Sequence, residues 1–381
     1  MAKKEQQMAN SDFNLERLNT KELGQHVHAS CMMGSNVAIF GRRGSGKTEI
    51  CKQEIKASGF QEVYLNLSVL ERVDLGGYPD VMNGNRKKNF VDFLLPQFYE
   101  PMMDTKGKKV VLLLDEVDKA DPSLWAPLLE LVQFKSINGR ELPNLQASLK
   151  TGNLISEGGA RPSLPLLDRA EKYLVEADVS SWVDWAGKAG KIHPSILSYI
   201  HDNPADLFGA VDPEERYADP SPRGWTGASA ILYAGEANNA SAELLNKKVA
   251  GRVGKQAGIK YAHYYDHYQT LLPLVDKLYE GKNIDKEYLK LEPTKKLVAG
   301  IIIGTRLANK LDELKPNTKH DDMPKAVSWV GRFFKAAPPE DAFIVIRNQI
   351  QIKRLAEHDL DEHADWRDIV DDINKKLGMG H

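Results

Sequence analysis

The feature that most constrains this chain is Gly41-Arg42-Arg43-Gly44-Ser45-Gly46-Lys47-Thr48, a full match to the pattern G-x-x-x-x-G-K-[ST]. Asn36-Val37-Ala38-Ile39-Phe40 before it reads as a strand, and a helix is expected to start near Lys47. That is the context in which the pattern cradles phosphate. Glycines at Gly41, Gly44 and Gly46 let the backbone curl so that successive N–H groups face phosphate oxygens. Lys47 would set its ammonium against the β- and γ-phosphates, and the Thr48 hydroxyl would ligate magnesium. The positive end of the helix dipole falls on the same spot. Gly41, Gly44, Ser45, Gly46, Lys47 and Thr48 are therefore the candidate nucleotide-binding residues.

A second run sharpens the chemistry. Val110-Val111-Leu112-Leu113-Leu114 reads as a strand buried on both faces, as in the centre of a parallel sheet. It leads straight into Asp115-Glu116, which places two acids at the edge where open α/β sheets bind ligands. Asp115 is placed to hold magnesium through water. Glu116 can take a proton from an attacking water, since a carboxylate stays ionised at neutral pH and orients water by hydrogen bonding. The plain alternative is a strand running out into a solvated acidic turn, because Asp118 and Asp121 follow. The doubled acid favours ATP hydrolysis over a GTPase that positions water with glutamine.

At 381 residues the chain has room for two to three domains and can bury its cores without staples. Lys plus Arg is 51 against 53 for Asp plus Glu, a net charge of −2. That balance excludes a protein that coats nucleic acid with its whole surface, and leaves room for a local basic patch. Two cysteines, Cys31 and Cys51, cannot build a disulfide framework or a four-sulfur metal site. Lys3-Lys4 is followed by Glu5-Gln6-Gln7 rather than the apolar core of a secretion signal, and no run approaches a membrane span. The expectation is a soluble protein of the cytoplasm with no membrane partner.

Strand and helix signals alternate through the first half, so an α/β layered domain is expected. A further strand is read at Val63–Leu67, and a helical pattern from Leu15 to Leu23 ends near Gly24. Asn83-Gly84 and Asn138-Gly139 are candidate hairpin turns. Strand signals fade after about residue 185, and residues 194 to 224 are rich in Pro, Asp and Gly. From Gly227 onward the periodicity is helical, with breaks expected at Gly281, Pro316 and Pro338-Pro339. Pro127 falls inside the helix expected after Asp121-Pro122, where it would cost a hydrogen bond.

Taken in order, Gly41–Thr48, Leu112–Ala120 and Leu166-Leu167-Asp168-Arg169 resemble the AAA+ ATPases, and most of all the MoxR branch with its phage-encoded relatives. Asp74-Leu75-Gly76-Gly77, Arg140-Glu141-Leu142-Pro143, Thr151-Gly152-Asn153 and Ser221-Pro222-Arg223 extend the likeness over residues 36 to about 225. The resemblance implies a P-loop AAA+ core with a parallel sheet flanked by helices (residues 1–190), a helical lid (191–260) and a helical C-terminal region (261–381). It implies Asn153 as sensor 1, which helps orient the lytic water. Arg169 matches the arginine finger of a neighbouring subunit, and Arg223 matches sensor 2 within the same subunit. Arginine suits both tasks because its charge is permanent and its donor fork fits phosphate. Without the family frame each arginine reads as a surface ion pair. Arg161 is a rival for the finger. Leu154 stands where a proline is common, and Ala170 replaces an aromatic.

The implied function is an ATP-hydrolysing ring motor of six copies that uses ATP and Mg2+ to remodel a protein partner in a bacterial or phage-infected cytoplasm. No Asp-x-Ser-x-Ser motif occurs, so a von Willebrand factor A domain adaptor would be a separate chain. Arg86-Lys87-Lys88 leaves an alternative open, a nucleotide-switched nucleic-acid loader with slow turnover, although a solvated basic turn is the favoured reading of that run. His263 and His267 stand four apart beside Asp266, a metal spacing. The tyrosines around them, Tyr261, Tyr264, Tyr265 and Tyr268, favour a packed aromatic face instead. Glu357–His363 reads as a solvated helix face.

Overall fold

The computed structural model describes residues 15–80, 92–154, 162–176, 178–189, 192–209, 220–314, 323–346, 360 and 363–376. Asn83-Gly84, Arg86-Lys87-Lys88, Arg161, Pro316 and most of Glu357–His363 lie outside the described residues. The chain divides into two compact units, Met1–Asp178 and Val179–His381.

The first unit is built on a six-stranded sheet. Its strands are β1 (Glu16–Leu18), β2 (Asn36–Gly41), β3 (Gln61–Asn66), β6 (Val110–Asp115), β9 (Leu145–Asn153) and β10 (Glu171–Val175). The order is β1-β10-β2-β9-β6-β3 and every pairing is parallel. Alternation along the strands feeds two cores, because successive side chains face opposite sides. Val37, Ile39, Val111 and Leu113 pack against Leu23, Val27, Cys51 and Ile55 of the helices Thr20–Met33 and Lys47–Ala57. Ala38, Phe40, Leu112 and Leu114 pack on the other face against Leu128 and Leu131 of the helix Trp125–Phe134. Two short hairpins lie outside the sheet: β4 (Tyr78–Asp80) with β5 (Asp92–Leu94), and β7 (Ser136–Ile137) with β8 (Arg140–Glu141). The Asn138-Gly139 turn closes the second, both residues having positive φ, 49° and 73°.

Two local expectations are corrected. Residues Glu16–Leu18 form an edge strand, not the start of a helix, and the helix begins at Thr20 and runs through Gly24 to Met33. Asn19 is the reason: its side chain accepts from Lys21 N and Glu22 N while Glu22 returns a bond to the Asn19 N–H. Pro127 costs no hydrogen bond. Pro122–Leu124 is a single 3-10 turn and the α-helix proper starts at Trp125, so Pro127 lies in the first turn, where N–H groups have no intrahelical acceptor.

Strand β9 carries an unannounced feature. Lys150 is fully buried between Ala38 and Leu114 of the neighbouring strands, and its ammonium donates to Ser148 Oγ at 2.8 Å. Ser148 in turn donates to Asn36 Oδ1 (2.7 Å). Burial pushes the Lys150 pKa down to about 7. The unfolded chain, with an ordinary lysine, binds this proton more tightly, so its release favours the fold as pH rises from about 7 toward 10. Lys150→Met is therefore expected to be more stable than the parent at pH 7. That advantage should shrink by about 1.4 kcal/mol per pH unit up to pH 9 in urea titrations of both proteins. Comparing the two proteins cancels the opposite trend from the buried thiols of Cys31 and Cys51, whose pKa values burial raises. An advantage that does not change with pH would mean the buried amine keeps its proton in the fold up to pH 9.

The second unit is helical throughout its described residues, from Val179–Ala189 to Arg367–Lys376. Trp182, Ile196, Trp225, Leu245, Tyr261, Leu271, Ile302, Phe333 and Trp366 belong to one continuous hydrophobic cluster. Along the helix Lys255–Tyr279, Tyr261, Tyr265 and Tyr268 are buried and stack in sequence, with ring centroids 5.8 and 5.9 Å apart. His263 and His267 point to solvent on the other side, and no group of metal ligands occurs among the described residues. Among the described residues of this unit the buried imidazole is His193. Its Nδ1 accepts from Ser195 N, capping the helix Pro194–Asp202, and its Nε2 lies 3.1 Å from Glu236 Oε2. No described helix is long and apolar enough to cross a membrane.

Candidate functional site

All sheet strands are parallel, so β2, β6 and β9 end at one edge and deliver Gly41, Asp115 and Asn153 there. The loop after β2 is held tightly. A Cβ on Gly41 would meet the Val175 carbonyl oxygen at 2.8 Å, which excludes any larger residue. Gly44 and Gly46 have φ of 75° and 89°, the left-handed region that glycine enters freely. Gly46 also caps the helix Lys47–Ala57 and brings no side-chain acceptor, which leaves the helix N-terminus suited to an anion. Lys47 is buried. Its Nζ donates to the carbonyls of Gly41 (2.9 Å) and Arg42 (2.8 Å) and lies 3.5 Å from both Ser45 Oγ and Asn153 Oδ1. A cationic tip gripped by the loop it closes, beside buried Ser45, fits a polyphosphate.

Asp115 is the hub of the edge. Its Oδ1 accepts from Thr48 Oγ1 (3.0 Å), from the Glu116 N–H (3.0 Å) and from Thr151 Oγ1. Its Oδ2 accepts from the Tyr64 hydroxyl at 3.0 Å. Thr48 and Asp115 thus present two hard oxygen donors side by side, the donor chemistry magnesium selects, and the site fits that ion with the triphosphate as co-ligand. Tyr64 stays protonated and able to donate, because burial and then the Asp115 charge push its pKa up to about 12.

Glu116 stands beside this hub with φ 55° and ψ 40°, a conformation non-glycine residues seldom adopt. Strain of this kind costs on the order of 1 kcal/mol and clusters at functional sites. Its carboxylate accepts from Lys119 Nζ at 2.7 Å. Hydrogen bonds from Lys119 and then Ser68 hold its pKa below the ordinary carboxylate range, so it is ionised at neutral pH, as a base must be.

Because β9 lies between β2 and β6, Asn153 sits between the phosphate loop and the acids. Its backbone N–H donates to Asp118 Oδ1 (3.0 Å) and its side-chain amide to Asp118 Oδ2 (3.4 Å). Asp118, open to reading as a solvated turn residue, is in fact 2% exposed and orients Asn153. Asp118, Thr151 and Tyr64 are site residues the sequence did not flag. The motif Thr151-Gly152-Asn153 held the one readable signal, a hydroxyl two residues before Asn153.

The two arginines belong to other elements. Arg169 follows the helix Leu164–Asp168 and is exposed, with Nε donating to Gln133 Oε1 (2.6 Å) and Nη1 to the Pro165 carbonyl (2.7 Å). Arg223 belongs to the second unit, exposed at the second residue of the helix Pro222–Ala237, which Ser221 caps through Gly224 N.

The sequence matches no family model and no curated protein. Among solved structures, the chain is similar to the RuvB Holliday junction branch migration motor of Thermotoga maritima. The identity is 13%, the TM-score 0.37, and the match covers 68% of this chain and 74% of that one. It is also similar to NtrX from Brucella abortus in complex with ADP, at 15% identity and a TM-score of 0.31, over 61% of this chain and 68% of that one. At these values neither likeness bears on what this chain does, and the chemistry rests on the site itself.

Proposed function

We propose that this chain is an AAA+ ATPase of MoxR-like type, a magnesium-dependent ATP hydrolase that assembles as a six-membered ring and remodels a protein partner. The observation that carries the proposal is the meeting of Lys47, Thr48, Asp115, Glu116 and Asn153 at one sheet edge. The loop amides and Lys47 would bind the triphosphate, and Thr48 with Asp115 would hold magnesium, which neutralises phosphate charge when bound. Glu116 accepts the proton of the attacking water, and Asn153, fixed by Asp118, helps orient that water.

The placement of Arg169 supports a shared site. It is exposed, outside the loop-and-acid cluster, and held by two bonds that leave its planar fork oriented. Phe134 and Leu164, next in sequence to the two residues that hold it, are 66% and 64% exposed, an apolar flank suited to contact with a neighbouring copy. Arg223 is proposed as the sensor that reads the phosphates within its own chain. The near-neutral charge favours a protein client, and the two buried free thiols fit a reducing bacterial or phage-infected cytoplasm.

Glu116→Gln held with ATP and magnesium tests the assembly by sedimentation velocity. A six-copy ring that forms with ATP and disperses with ADP is the expected result, and a monomer with every nucleotide overturns it. Material retained on that ring from lysate should survive nuclease. Loss of the companions on nuclease treatment would replace protein remodelling with nucleic-acid loading.

A further inference from the structure

Asp115 has donors on both carboxylate oxygens, and they come from different parts of the chain. Three reach Oδ1: the Thr48 and Thr151 hydroxyls and the Glu116 N–H. Donors on one oxygen leave the position of the other less fixed. Among the described residues the donor on the other oxygen is Tyr64 (3.0 Å), which fixes the tilt of the plane. Tyr64 is itself located from both sides. It belongs to β3, in register with Leu113 of β6, and Lys52 Nζ of the helix Lys47–Ala57 lies 4.2 Å above its ring centroid. Lys52 is also 3.9 Å from Glu62, two residues before Tyr64 on the same face of the strand.

We propose that Tyr64 is a positioning residue for magnesium: its hydroxyl fixes the Asp115 carboxylate plane so that the ion meets a preset acceptor. Magnesium demands near-ideal octahedral geometry, so a carboxylate that swings binds it less well. Outer hydrogen-bond partners of this kind are typically worth about 10- to 100-fold in metal affinity. The inference rests on the reading of Asp115 as the magnesium-side acid.

Tyr64→Phe removes the hydroxyl alone and keeps the ring under Lys52; since Tyr64 is 38% exposed, the fold loses little. The measurement is the affinity of a fluorescent ATP analogue as magnesium is titrated from EDTA upward. The variant should need about tenfold more magnesium than the parent to reach the half-point. Affinity in EDTA should match the parent, and turnover should recover when magnesium is saturating. A half-point unchanged within about twofold overturns the role of Tyr64 while leaving the parent's magnesium dependence intact. A parent whose nucleotide affinity ignores magnesium overturns the reading of Asp115, and the inference with it.

Discussion

Glu116→Gln is expected to bind ATP with magnesium as well as the parent and to lose turnover by about a thousandfold, the scale of a removed general base. The amide has the size and shape of the carboxylate, so Lys119 and Ser68 keep an acceptor and the strained backbone is undisturbed. Gln cannot take a proton from water. The effect is confined to catalysis because the proposed binding groups are separate: Lys47 and the loop glycines would take the phosphates, while Asp115 and Thr48 form the oxygen pair. Steady-state turnover alongside analogue binding reads both halves of the expectation. Retained turnover would mean that the base lies elsewhere. Lost binding would mean that Glu116 supports the site rather than acting in it.

Arg169→Ala is expected to cost a thousandfold or more in turnover, roughly the scale of other arginines that stabilise charge on a transferring phosphoryl group. Its local bonds are to an exposed Gln133 side chain and one carbonyl, both of which water can replace, so stability should change by less than about 1 kcal/mol. Arg169→Lys should not restore the rate, since an ammonium lacks the planar fork. A drop of less than tenfold would move the role away from Arg169.

Much of this site is written in the sequence, and the reason is local. The loop from Gly41 to Thr48 and the run ending in Asp115-Glu116 are contiguous, and each is flanked by elements whose periodicity is plain. The Asn138-Gly139 hairpin is legible for the same reason. Strand β9 is not, although it is the longest of the described strands and joins β2 to β6. Leu145–Asn153 carries Ser148, Lys150 and Thr151 inward, so it shows no apolar run. Folding makes those residues acceptable by pairing each with a group distant in sequence or two residues away: Asn36, Ser148 and Asp115. Tyr64 and Asp118 escape notice on similar grounds. One meets Asp115 across a strand pair, and the other meets Asn153 across the sheet edge, and neither spacing encodes the contact. At the N-terminus, Asn19-x-x-Glu22 was a readable start signal that the apolar pattern from Leu15 obscured.

The most direct test of a ring with shared sites is to mix Glu116→Gln and Arg169→Ala subunits and measure turnover across mixing ratios. Each variant spoils a different half of the site, so some interfaces in a mixed ring pair an intact Glu116 with an intact Arg169 from the neighbour. The expected result is turnover above either variant alone, greatest at intermediate ratios and lost on dilution below the assembly concentration. Turnover that never exceeds the sum of the two inactive variants, at any ratio that forms rings, would contradict the shared site.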